Sequence, residues 1–488
     1  MDLVTSAIIT QLEVSIMQIQ PFSLKAQLRL TQRWLNLDPE LKGDPEKYSE
    51  KEAEAMKLIG SIIGNGYIPP FPPYLLAILQ SLYAGQPVSE TASTHGHLYE
   101  AFINSALAKR RSAQAHRILK SFAGFLAFKM FLGEQEIITH DEITKIHSDW
   151  IKATDLNRDL QTLLTDLVQV RFLRRDHGVY RFGEKFILYY FVALYIQKNL
   201  NDPEPQQVVS DCVKKVWVED YANVLLFLAH LSNDETVINQ LLSETESYFS
   251  ESPEEELRGT LSFEGKEITS GRDAIDHGND SDTELQAISE EQKLQQLPSR
   301  LDRSSSRGDL DFLGQLCAAV KVLQILGQFV KNFPDNFKPD KKVEIVRNCV
   351  GIGLRALKTV FDLVSDEKVD IIEAFAKLIS RGDKSKLNEA RKEAETTLAG
   401  LCLLNSFGLL KAISSSVGSR ELERTYEKVF KECPDTPSWI LVELSIKLDH
   451  VGNFPSEAVL SAYKGFIGGD MKKVVFLSFL GQQILFSY

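Results

Sequence analysis

Cysteine is scarce, with five in 488 residues, at Cys212, Cys317, Cys349, Cys402 and Cys433. They are odd in number, far apart and never spaced C-x-x-C. That excludes a disulfide framework or a zinc knuckle and fits free thiols in a reducing compartment. Positive charge is in deficit, 55 Lys and Arg against 67 Asp and Glu, for a net charge of −12. No overall basic field exists to draw in nucleic acid or anionic lipid. No run of about 18 uncharged apolar residues is present, so no membrane span is expected. The apolar stretch Val474–Tyr488 is short and is interrupted by Gln482 and Gln483. Met1-Asp2-Leu3-Val4 lacks the basic start of a secretory signal, and the expected location is the cytoplasm.

The usual catalytic signatures are missing too. There is no G-x-x-x-x-G-K-[ST] loop to cradle phosphates and no G-x-S-x-G elbow. Gly351-Ile352-Gly353, with Lys358-Thr359 downstream, imitates the former but lacks the glycine before the lysine. It lies in an apolar helix, where packing explains it. His95-Gly96-His97 and the pair His140/His147 have no carboxylate or cysteine cluster to complete a metal site, so no metal is expected. No enzymatic constellation emerges.

What is present is ample core material. Hydrophobic residues make up 43% of the chain, enough for roughly two to four domains. Helical periodicity dominates, and the predicted class is mainly α. Residues 12–20 alternate as a half-buried strand that ends at Pro21. A helix is expected over 24–35, a charged loop over 38–54, and a helix over 55–63 stopped by Gly64-Asn65-Gly66. Ile68-Pro69-Pro70-Phe71-Pro72-Pro73 reads as a rigid connector into an apolar helix that Pro73 helps to start. Helices follow over 99–109 and 113–131. Thr139-His140-Asp141-Glu142 has capping-box spacing and should start a short helix through Ile146. After a helix over 157–170, strands at 170–173 and 179–182 flank an Asp176-His177-Gly178 turn. A helix over 184–198 closes what reads as a winged helix.

Its wing carries Arg171, Arg174, Arg175 and Arg181, a basic surface for isolated phosphates or an acidic protein partner. The segment leading to it, Asp155 through Asp166, holds a single basic residue, Arg158, which disfavours DNA in the groove-reading position. The aromatic run Phe186, Tyr189, Tyr190, Phe191, Tyr195 has helical spacing and reads as core. More helices run from 202 to 249. Residues 250–305 then hold fourteen Asp/Glu against six Lys/Arg and read as a disordered acidic tether. Residues 309–488 are predicted helical throughout, an antiparallel or solenoid-like stack with segments near 311–331, 342–365, 368–380, 386–416, 419–432, 437–449, 456–466 and 473–486.

Three pieces together resemble one family. Ile16-Met17-Gln18-Ile19-Gln20-Pro21-Phe22 with Gln32-Arg33-Trp34 looks like the last strand of a STAND-type (NACHT-like) P-loop NTPase core and the helix after it. The proline segment 68–75 resembles the motif opening the helical domain that follows such a core. Tyr180-Arg181-Phe182-Gly183-Glu184-Lys185-Phe186 through Ala193 is similar to the end of the winged helix in prokaryotic members. The resemblance implies the following organisation: a residual core strand at 1–20, a helical domain at 21–110 and a winged helix at 111–200. The resemblance covers roughly residues 10–200; periodicity and composition alone add a helical extension at 201–249, the linker at 250–308 and a separate helical domain at 309–488.

In that family an ATP/ADP switch couples a sensor to an effector, often in antiviral defence. By position Pro73 would lie on the adenine side. Lys185 would stand where animal relatives place a phosphate-contacting histidine, with Glu184 beside it opposing phosphate. The P-loop and Mg²⁺-binding strand are missing, so autonomous ATP hydrolysis is not expected, and ATP or ADP would bind only with a core from another chain. A fragment, a split-gene product and a degenerate relative all fit. Expected partners are proteins, a P-loop core or an effector domain. A winged-helix DNA regulator, or a helical adaptor unrelated to nucleotide, are the alternatives.

Overall fold

The computed structural model describes residues 21–63 (except 40 and 42), 70–83, 103–104, 106–107, 113–257, 306–380, 384–450, 456 and 459–460. The strand expected over 12–20, most of the helix over 99–109, the pair His95/His97, the body of the acidic stretch and the helices beyond 456 lie outside them. The described chain is mainly helical with one small antiparallel sheet. It forms two compact units. The first takes the described residues up to Lys214 together with Val218–Ser232. The second takes Lys215–Trp217, Asn233 to Leu257, and the residues from Ser306 onward.

In the first unit, helix α1 (Leu24–Leu35) begins at Ser23, whose hydroxyl accepts from the Ala26 amide, and buries Gln27, Thr31 and Leu35 at four-residue spacing. Helix α2 spans Pro45–Ile63, so most of the stretch expected to be a loop is helical. Asp44 is the start signal: its carboxylate accepts from the Lys47 amide at 3.0 Å, and proline is tolerated at the first position because that amide has no partner in any case. Helix α3 covers Pro72–Tyr83 and α4 covers Ala113–Leu132. Strand β1, only Ile138–Thr139, leads into α5, His140–Thr154. The capping box is formed as expected, Thr139 N to Glu142 Oε2 2.8 Å and Glu142 N to Thr139 Oγ1 3.3 Å. The helix runs two turns past Ile146 because the buried stripe continues from Ile143 to Trp150, and it stops where Asp155 turns left-handed.

Helix α6 (Leu160–Gln169) starts at Asp159, later than the sequence pattern suggests, because that carboxylate caps the Thr162 amide at 2.8 Å. Strands β2 (Leu173–Asp176) and β3 (Val179–Phe182) form the hairpin, in a sheet ordered β1-β3-β2; the first strand lies three residues beyond the expected 170–173, because 170–172 are taken up in closing the helix end. The hairpin's turn residues His177 and Gly178 both have positive φ, the conformation whose twist suits a two-residue hairpin. Helix α7 (Lys185–Lys198) is buried almost all round and is the axis of the unit, packed by α4 on one side and by α9 (Glu219–Leu231) on another. The aromatic run is core: Tyr195 packs on Phe128 at 4.5 Å and Phe191 on Phe172 at 5.2 Å. The Tyr189 hydroxyl donates to Asp220, and burial first, then that carboxylate, push its pKa up. These contacts bring α8 (Pro203–Lys214) and α9 into the first unit, so the expected separate extension over 201–249 divides. Helix α10 (Glu235–Ser247) goes with the second unit.

The second unit gathers α11 (Phe312–Asn332), α12 (Pro339–Asp366), α13 (Lys368–Ile379), α14 (Leu387–Val417), α15 (Glu423–Glu432) and α16 (Pro437–His450). Helix α14 touches α11, α12, α13 and α16. That makes a bundle around one long helix, where a solenoid would touch only its neighbours in sequence. Gly327 lets α11 reach the end of α14, since a Cβ there would overlap the Ser416 carbonyl oxygen. Among the described residues, helices α11 and α14 are long and apolar enough to cross a membrane by length and composition alone, and half of each apolar window is buried in the unit. All five cysteines are free. Within the stretch expected to be a linker, 250–257 packs on α12 and Arg307–Asp309 forms a short turn.

Candidate functional site

The proline-led helix meets the first unit's long aromatic helix, which follows directly on the hairpin. Residue 22 ties to the proline segment through Phe22 N–H to Pro70 O, 2.9 Å. Pro72 and Pro73 are the first two residues of α3, and Tyr74 follows. Its ring meets Phe186 of α7 edge-on at 5.9 Å. Burial raises the Tyr74 hydroxyl pKa first; Glu184 raises it further, and the Arg174 and Arg171 charges oppose both. The start of α3 and the end of the hairpin are therefore electrostatic neighbours.

Arg171 sits there under backbone constraint. After α6 ends, Arg171 N–H reaches Val168 O at 3.0 Å and Phe172 N–H reaches Leu167 O at 2.9 Å. This pair of bonds usually needs glycine at the left-handed position. Here that residue is Arg171, at φ 63°, a conformation that costs a non-glycine residue about 1 kcal/mol. Gly183 closes over it, donating to Phe172 O at 2.8 Å. A side chain at 183 would collide with the Arg171 carbonyl.

The register sorts the other arginines. Arg174 lies opposite Arg181, while Arg175 lies opposite Tyr180. Arg174 and Arg181 are exposed on the face away from buried Leu173, Tyr180 and Phe182. Two like charges directly across a strand pair repel; Glu184 relieves this by accepting from Arg174 Nη2 at 2.6 Å. Glu184 is also the N-cap of α7 and makes no cap hydrogen bond, because its carboxylate is engaged with the guanidinium instead. An exposed pair of this kind contributes about 0–1 kcal/mol. Arg175 instead stacks on Tyr180, 5.7 Å from the ring centroid. Lys185 is exposed and lies 3.5 Å from Glu136.

The charges of Arg171 and Arg174 act on Tyr74 in the helix that Pro73 helps to open, and Arg181 lies across the strand pair from Arg174. The structure sets Arg175 on the other face and turns Lys185 toward Glu136. Tyr74, Phe186 and Gly183 were not singled out as site residues from sequence; only the glycine before the aromatic run could have signalled the close approach. Guanidinium groups so placed can fork onto phosphate or carboxylate oxygens. Helix α6 carries one acid, Asp166, and no base.

Among the described residues no group of three His, Cys, Asp or Glu could hold a metal. His147 Nε2 lies 2.9 Å from the Arg158 carbonyl, and its ring stacks on Trp150. Gly351 and Gly353 lie inside α12, as packing predicts. A cavity of about 190 Å³, lined among others by Lys120, Phe125, Trp150, Tyr195 and Lys198, includes none of the site residues above. Comparison with known protein families, with curated proteins and with solved structures gave no match for this chain.

Proposed function

We propose that the chain is the regulatory and interaction portion of a STAND-type signalling switch, relaying a nucleotide-dependent conformational change from a P-loop core. The helices and hairpin over 111–200 would act as its winged helix. One observation carries this reading: Tyr74 at the start of α3 packs on Phe186 of α7, just past the Arg174–Glu184 pair, although the two segments are far apart in sequence. These are two of the segments on which the resemblance rests. A surface with basic groups beside a proline-led helix suits docking on a nucleotide-loaded core, where differential contacts in two docked states would pass the signal on. The absence of Lys and Arg from α6 favours a protein surface over a duplex. Calorimetric titration of Mg·ATP and Mg·ADP, with and without a STAND-type P-loop core polypeptide, tests it. Nucleotide should bind only when the core is present, and this chain should shift its affinity. Tight Mg-dependent ATP binding by this chain alone would overturn the proposal.

A further inference from the structure

Residues 250–257 cross the second unit with no regular secondary structure, yet they are held closely. The Glu255 amide donates to Leu354 O at 3.1 Å, beside α12. Ser252 Oγ and Thr359 Oγ1 are 2.9 Å apart. Glu254 Oε2 accepts from Trp439 Nε1 at 2.9 Å. Its other oxygen lies over Gly351, 2.9 Å from where a Cβ would stand, and Arg355 Nη1 is 3.3 Å from that same point. Glu255 is only 2% exposed. Leu257 rests on the apolar cluster of Leu357, Phe361 and Ile372.

Two features separate this strap from an ordinary packed loop. First, the groove's recognition groups have supports that do not involve the strap. Arg355 Nη2 donates to Thr245 O at 2.7 Å, and the buried Trp439 ring packs on Phe430 at 6.1 Å. The groove therefore keeps its donors in place when the strap leaves. Second, the strap is bracketed by two left-handed non-glycine residues, Phe249 at φ 54° and Leu257 at φ 55°, conformations that disfavour the docked state at both ends. A glycine in mid-helix that makes room for a carboxylate, next to an indole N–H and a guanidinium, is a shaped receptor for an extended acidic segment.

We propose that this groove recognises an extended acidic peptide of the Ser-Pro-Glu-Glu type on a protein partner, and that residues 252–257 are its built-in competitor. The strap lies immediately before the acidic stretch in sequence, so a partner that displaces it releases residues 252–257 from the groove.

The test uses the full chain and a fluorescein-labelled peptide copying residues 252–257, read by polarisation. A tethered competitor acts at an effective concentration in the millimolar range. Glu254→Ala, which weakens the strap and leaves the groove intact, should therefore bind the peptide at least about tenfold more tightly than the wild type. Adding Trp439→Phe should cancel that gain, and a peptide with its glutamates changed to glutamine should not bind. Equal affinity for wild type and Glu254→Ala, a gain that survives Trp439→Phe, or no binding to either chain overturns the proposal. Loss of cooperative unfolding in Glu254→Ala would also overturn it, by making the strap an integral part of the bundle.

Discussion

Lys331 offers the sharpest test of the energetics. It lies in α11 with 7% exposure, and its ammonium donates to Ser415 O at 2.6 Å, near the carbonyl end of α14. Burial pulls its pKa down to about 8, and the neighbouring Cys349 opposes this. In an unfolded chain the group titrates near its ordinary value of about 10.4. The folded pKa is the lower one, so between these values the unfolded state binds more protons and stability rises with pH. The destabilising contribution is complete below pH 8 and disappears as pH climbs past about 10. Two to three pKa units correspond to roughly 3 kcal/mol. Lys331→Met keeps the volume, loses one hydrogen bond worth about 1 kcal/mol and removes the buried charge. At pH 7 it should stabilise the second unit by about 1–2 kcal/mol. At pH 10 the advantage should vanish or reverse. Burial also raises Cys349, to about 12, which works in the opposite sense above the ordinary thiol range. The difference between variant and wild type at each pH isolates the lysine. Urea unfolding followed by tryptophan fluorescence at pH 7 and 10 measures it. A variant less stable than wild type by the same amount at both pH values would refute the reasoning.

Other expectations are simpler. Gly327→Ala should destabilise the second unit by at least about 2 kcal/mol in urea unfolding, because its methyl must displace backbone. Arg171→Gly should raise the melting temperature of the first unit, by relieving about 1 kcal/mol of left-handed strain, while weakening binding to an acidic partner. Gly183→Ala should do the reverse to the hairpin, seen as faster amide exchange over 172–183. Thr139→Ala should cost about 1 kcal/mol through loss of the capping box.

Much of the helical layout was legible because it follows from local signals. The Thr139 to Glu142 capping box was read and is formed, and apolar periodicity over 342–365 and 437–449 marks helices seen close to those bounds. Where charge hid a start signal, as at Asp44-Pro45, a helix passed for a loop. Strand β1 is two residues long and has no period to detect; it exists only because β3 offers an edge. The basic residues were visible as a cluster, but their division into faces depends on register, which the His177-Gly178 turn sets. The approach of Tyr74 to Phe186 is a tertiary contact with no local trace. The edges of the acidic stretch look like linker by composition, and Glu254 is held only because Gly351 and Arg355 of α12 and Trp439 of α16 are brought together by the fold.

The most direct test of the docking account is hydrogen–deuterium exchange over residues 70–83 and 168–188, in the presence of a separate STAND-type P-loop core loaded with ADP or with ATP. The account predicts that both segments change protection together, that the change depends on which nucleotide is bound, and that reversing the charges of Arg171 and Arg174 abolishes it. Exchange that is the same with either nucleotide, or that alters one segment and leaves the other untouched, would contradict it.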